Sequence, residues 1–207
     1  MNQKWKFIGG NLAIDFVNTI GGRSERNIQD YVIRDDTFNC YKSFVEWSEA
    51  IRLIKPAAAR KIKAWAAENP THAKKELKRV IAFRETLYRI FRHTMEKSKP
   101  DAVDIQLLNK EYAAARQHQQ MIFSSGIWSM QWLVDADHPD RLVYQLAMAA
   151  ADLLLSEKLV RLKQCQGEDC GWLFLDTSKN QKRIWCDMKD CGNLAKVRRF
   201  RSRHVAG

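Results

Sequence analysis

Four cysteines in the last quarter of the chain have the types and spacing to do chemistry. Cys165 and Cys170 enclose four residues, Cys186 and Cys191 enclose four more, and fifteen residues separate the pairs. Two short-spaced pairs about 15 to 20 residues apart have the ligand spacing of a closed structural zinc site. Four thiolates complete a tetrahedron and leave no position for water, so an ion held there folds its module and does not catalyse. The glycine in "QGED" between the first pair lets the chain reverse, and "WLFLD" between the pairs reads as a strand that carries the chain away and back. Binding to such a site is worth roughly 10 to 16 kcal/mol and is in effect the folding energy of a small knuckle. Cysteines that are merely buried, or an iron–sulfur cluster, are minority readings of the same pattern. One structural zinc ion is the expected cofactor. The fifth cysteine, Cys40, is expected to be a buried thiol.

Cations crowd around this constellation. Lys179, Lys182 and Arg183 lie between the cysteine pairs, and Lys196, Arg198, Arg199, Arg201 and Arg203 follow Cys191 with no intervening acid. Read as a helix, the tail sets Leu194, Val197 and Phe200 at three-residue steps as an anchor, with the cations on its two flanks. The net charge is +11, and residues 158–207 hold 12 Lys and Arg against 5 Asp and Glu, so the last quarter carries most of the excess. Such a distribution suits a phosphate backbone, and DNA is the expected partner. The alternative is a zinc-stabilised module that binds an acidic protein or RNA. Trp185, next to a metal ligand, is expected to shield the site rather than stack on a base.

The elements that must position these groups are mostly helical. "GNLAIDFVNTI" has Leu12, Phe16 and Ile20 at four-residue steps, as in a short amphipathic helix, and "GGRSERNIQDYVIRDD" follows as a polar connection. Pro56 separates two helices, because its ring is tolerated at a helix start and not inside one. The longest periodic segment has Leu77, Ile81, Leu87, Ile90 and Phe91 along one stripe, with Thr71 as N-cap, and Pro100 ends it. A further helix follows from Asp101. "MIFSSGIWSMQWLV" predicts a hairpin, and "DRLVYQLAMAAADLLLSEKL" predicts a central core helix. The expected fold is therefore mainly α: a helical N-terminal domain (1–158) with a small β-hairpin, then a small zinc-stabilised finger (159–207) of short strands and a C-terminal helix. The junction near Leu159 is expected to be tight.

The N-terminus has no apolar run of the signal-peptide kind, and no stretch of about 18 apolar residues occurs, so a cytoplasmic protein is expected. The five histidines are scattered without ligand spacing, and Gly-rich phosphate loops and nucleophile elbows are absent from the sequence. No catalytic residue is assigned, and no enzyme is expected. Asp15, Asn18 and Arg84 are polar groups within apolar helices. They form a candidate ligand pocket for a small-molecule effector, although pairing of Asp15 with Arg84 inside the fold is the stronger expectation. Tryptophans 47, 65, 128 and 132 are expected in the core. A homodimer would suit a palindromic DNA site, but no heptad seam announces one.

Beyond these readings, "CGWLFLDTSKNQKRIWCDMKDCGNLAKVRRFRSR" resembles the CGNR-type zinc finger, a C-terminal module of bacterial proteins assigned to stress-response transcription regulation. The resemblance implies zinc ligation by Cys165, Cys170, Cys186 and Cys191. Leu194 stands where the family's name-giving arginine would be, so any contact made by that arginine is absent or moved, with Lys196 the nearest substitute. "GGNLAIDFVNTIGGR" resembles the opening of the ABATE domain that precedes this finger, and "AFRETLYRIF" and "LNKEYAAA" fit its later helices.

Overall fold

The computed structural model describes residues 5–23 and 33–205, with side chains up to residue 202. Asn11 opens α1 (Leu12–Val17) by accepting the Ala13 N–H at 2.8 Å, which satisfies one of the donors a helix start leaves free. Two strands follow, β1 (Ile20–Arg23) and β2 (Ile33–Asp36), paired antiparallel with Ile20 opposite Asp36 and Gly22 opposite Arg34. The sequence predicted only a polar connection here. Ion pairs Arg23–Glu85 and Arg84–Asp36, rather than an alternating apolar pattern, tie the two strands to residues 84 and 85, so periodicity does not reveal the pair.

The helices α2 (Tyr41–Ala50), α3 (Pro56–Glu68), α4 (Pro70–Met95) and α5 (Ala102–Gln117) come next. Both α3 and α4 begin on proline, whose missing N–H costs nothing at the first helical position. Thr71, predicted as the α4 cap, lies inside its first turn, and the cap is Asn69. Cys40 caps α2 and is exposed, which corrects the expectation of a buried thiol: a helix start at the surface places its cap residue in solvent. The predicted hairpin forms as β3 (Gln119–Ser124) and β4 (Ile127–Trp132). Then α6 (Asp140–Leu154) packs against α1 and α5, with Ala147 and Ala150 fully buried. Its Asp152 and Leu155 ends reach solvent, so burial covers one broad face rather than the whole circumference.

The core is aromatic around α1. Phe16 meets Phe38, Phe44, Trp47 and Phe83 with ring centroids 5.7 to 6.4 Å apart, each of them at most 2% exposed. Of the four tryptophans assigned to the core, Trp47 is buried and Trp65 and Trp132 are partly buried, but Trp128 is 64% exposed. Guanidinium groups link the helices at the rim. Arg79 of α4 holds Glu111 of α5 in a fork of 2.9 and 2.6 Å, and also reaches Asp140 of α6 at 2.5 Å.

After a 3-10 turn (Glu157–Arg161), β5 (Leu162–Gln164) and β6 (Leu173–Leu175) pair antiparallel, and the last helix, α7 (Asn193–Val205), follows a π turn at Met188–Gly192. Leu162, Leu173 and Leu175 belong to the same apolar core as α1 and α6. The C-terminal strands therefore complete the main core.

Candidate metal centre and nucleic-acid interface

Residues 9–23 fasten the C-terminal module through main-chain geometry. Asn18 donates from Nδ2 to the Leu173 carbonyl at 2.8 Å and accepts the Leu173 N–H on Oδ1 at 2.9 Å, so one amide pairs with both polar groups of one strand residue. Leu175 donates to the Gly9 carbonyl at 2.9 Å, Arg23 donates from its backbone to Cys170 at 3.2 Å, and the Trp172 indole N–H donates to the Ile20 carbonyl at 2.9 Å. Gly22 packs so closely on the Asp169 carbonyl that a Cβ there would collide with it. Salt bridges Lys6–Asp190 and Arg34–Asp169 lie at the rim.

The four cysteines converge beside this junction. Their sulfurs all lie within 4.8 Å of one another, with Cys170 and Cys186 at 3.5 Å and Cys186 and Cys191 at 3.6 Å. Ligands about 2.3 Å from one tetrahedral zinc are separated by about 3.8 Å, so the donor set fits the ion. Backbone N–H groups of Cys186 and Gly167 approach the Cys165 sulfur at 3.2 and 3.4 Å and would support its negative charge. Gly167 is required by space: a Cβ there would stand 2.9 Å from the Cys170 Cβ and 3.1 Å from the Cys191 sulfur.

Electrostatics explains why the cluster calls for a cation. Hydrogen bonds from the Cys170 and Cys186 thiols hold Cys165 far below the ordinary thiol value, while the same contacts with Cys165 push Cys170 and Cys186 up, and burial raises Cys191. Thiols this close cannot all ionise alone. A dication offsets the repulsion, and Cys165, Cys170, Cys186 and Cys191 fit one structural zinc ion. Behind it Phe174 is fully buried, and Trp185 packs half-buried against the cluster, as expected of a shield.

The loop between β6 and Cys186 is set by Asp176, whose importance the sequence reading missed. Its buried carboxylate accepts from Lys163 Nζ at 2.6 Å, Ser178 N–H at 3.0 Å and Arg183 N–H at 2.9 Å. Burial alone would raise its pKa, but Lys163, Ser178 and Arg183 hold it well below the usual carboxylate range. The visible signal was "DTS", an aspartate placed to bond its own backbone two residues on.

The cations assigned to nucleic acid fall into two groups. Lys179, Lys182, Lys196, Arg199 and Arg201 are exposed. Arg183 is half-buried: its guanidinium donates to the Trp185 carbonyl at 2.9 Å and to Cys186, and lies over the Phe174 ring at 4.3 Å. Arg198 pairs with Glu168. The Arg203 side chain lies outside the described residues. Leu194, Val197 and Phe200, expected to anchor α7, are 57, 47 and 62% exposed. The π turn and Cys191 hold the helix at its start, and Arg198 ties its middle to Glu168 while the apolar stripe stays about half exposed.

Asp15, Asn18 and Arg84 do not form one site. Arg84 is fully buried and grips Asp36 in a fork of 2.8 and 2.7 Å, with Glu85 at 2.7 Å on Nε, which fastens α4 to β2. Asp15 accepts the Gly9 N–H at 2.8 Å, so the expected Asp15–Arg84 pair is replaced by two separate arrangements. Asp15 and Asn18 do line a cavity of about 300 Å³ together with Trp5, Trp47 and Trp172, at the meeting of the helical domain with the finger. Burial pushes the Asp15 carboxyl up to about 6, against the opposing pull of the Gly9 and Ile8 N–H groups.

Fold and site together define a mainly helical protein that carries a structural zinc finger. The family model "CGNR zinc finger" matches residues 161–204, and the ABATE model, described as "Putative stress-induced transcription regulator", matches residues 10–157. The chain belongs to the ABATE family, with a CGNR zinc finger at its C-terminal end. No curated protein matches it. Among the described residues no helix is long and apolar enough to cross a membrane.

Proposed function

We propose that the protein is a DNA-binding transcription regulator, in which residues 159–207 form the DNA-reading module and residues 1–158 a sensor domain. The observation that carries this reading is the exposure of Lys179, Lys182, Lys196, Arg199 and Arg201 on a loop and a helix that both depart from the metal centre. Cations on a rigid support reach phosphates without the ordering cost of a loose tail. The half-exposed Leu194, Val197 and Phe200 stripe fits the same reading, since apolar side chains on a groove helix meet thymine methyls. The cavity beside Asp15 and Trp172 is the place for a small effector, whose binding would alter how the finger is seated. Stress response is the setting suggested by the family.

The test is DNA binding of the zinc-loaded protein across a salt series, with random and genomic fragments. About five phosphate contacts give a log–log slope of about −4.5, and the triple variant Lys196→Glu, Arg199→Glu, Arg201→Glu should reduce it to about −2. Enrichment of particular fragments would identify the target. No binding at low salt sinks the proposal and turns attention to an acidic protein or RNA as partner of the same surface.

A further inference from the structure

The β3–β4 hairpin presents an apolar face that the main core does not use. Its register sets Met121 opposite Met130 and Phe123 opposite Trp128, so these four side chains project from the same face. They are 66, 47, 59 and 64% exposed, and the Phe123 and Trp128 rings touch with centroids 5.1 Å apart. Gln120, Ile122, Ser124, Ile127, Ser129 and Gln131 occupy the other face. The base of the hairpin is fixed: Trp132 lies parallel to Tyr144 at 6.4 Å, Arg141 sits over Trp132 at 5.5 Å, and Arg141 donates to the Val134 carbonyl at 3.0 Å. The apolar face is thus held away from the body that could have covered it.

Charge identifies the occupant. Residues 119–134 contain no Asp, Glu, Lys or Arg, in a chain whose net charge is +11. Phosphate finds no cation on this face, and an acidic protein finds no counter-charge. Two copies of the chain repel over most of their surfaces, but here they can approach with no charged group in the contact. Area agrees. With side chains of this size presenting about 200 Å² each, the four expose roughly 500 Å². Two such faces packed together bury roughly 1,000 Å², the least expected of a specific interface. Met, Phe and Trp are also the residues enriched in interface centres.

We propose that the protein is a homodimer in which this hairpin face packs on the same face of a second copy. The contact is isologous, and two isolated two-stranded ribbons become a two-layer, four-stranded core. The inference does not depend on DNA binding.

Sedimentation equilibrium of the full zinc-loaded chain tests it. The expected mass at micromolar concentration is twice the 24.1 kDa of one chain. Trp128→Glu and Phe123→Lys should each weaken association about 30-fold or more, as loss of a central aromatic anchor does. Zinc content and melting temperature report whether each variant is folded, and the milder pair Met121→Gln with Met130→Gln replaces any that is not. A wild-type chain that stays monomeric at submillimolar concentration overturns the proposal. So does a dimer of unchanged strength in folded variants, which would place the contact on another face.

Discussion

Asn18, the C-cap of α1, and Leu173 of β6 are 155 residues apart in sequence and share two hydrogen bonds, so one side-chain amide binds the backbone of the finger as a neighbouring strand would. Asn18→Leu removes both and leaves the buried Leu173 N–H and carbonyl unpaired. The expected loss is about 2 to 4 kcal/mol in urea unfolding. Asn18→Asp should lose nearly as much, because a carboxylate can accept but cannot donate. A loss below about 0.5 kcal/mol in both would show that the amide is dispensable.

One zinc ion per chain is expected by elemental analysis. Cys186→Ser, which leaves three thiolates, should forfeit most of the roughly 10 to 16 kcal/mol of binding. Because β5 and β6 complete the main core, chelation should also lower the melting temperature of the whole chain and not only that of its last 49 residues. A helical domain that melts unchanged after chelation would contradict this.

Gly22→Ala tests the seating of the finger through the backbone beside a metal ligand, without touching the thiolates. The new Cβ would meet the Asp169 carbonyl, next to Cys170. A cost of about 1 to 3 kcal/mol is expected, as for other overpacked sites, with zinc still bound. Increased hydrogen exchange at Leu173 and Leu175 would localise the effect.

Asp15 sets a pH dependence. Its ordinary value is 3.8 and burial raises it to about 6 in the fold, so between those values the folded chain keeps a proton that the unfolded chain has lost. Its contribution to stability is complete below about pH 4 and is lost as pH rises through about 6, at a cost of up to about 3 kcal/mol at neutral pH. Asp15→Asn retains an acceptor for Gly9 without the charge. It should be more stable than the wild type by about 1 to 3 kcal/mol at pH 7.5 and no more stable at pH 4. A difference that does not change with pH would refute the assignment.

Arg84→Lys addresses the buried fork on Asp36. An ammonium cannot make two parallel bonds to Asp36 while reaching Glu85, so a loss of about 2 kcal/mol or more is expected in urea unfolding. Unchanged stability would show that the planar fork is unnecessary.

What could be read from the sequence was what local rules encode. The cysteine spacing, Pro56 and Pro100 as helix punctuation, and the alternation around Ser125–Gly126 each rest on neighbours within a few residues. What could not be read depended on partners far along the chain. Asp36 is 48 positions from Arg84, so the choice of Asp36 rather than Asp15 was invisible. The roles of Arg183 and Arg198 were hidden because an arginine stacked on Phe174 or paired with Glu168 looks the same in sequence as one awaiting phosphate. The stripe on α7 showed correct helical spacing, but periodicity does not say how much of it is covered.

The Asn18 clasp also bears on the order in which the protein can fold during synthesis. The residues of α1 are made first, yet the strand that satisfies Asn18 and joins the same apolar core is made about 155 residues later. Until β6 emerges, the helices synthesised before it have an open seam of apolar surface. At about 5 to 20 residues per second, the nascent chain carries that seam for some 8 to 30 seconds, a window in which a chaperone can act and aggregation can compete.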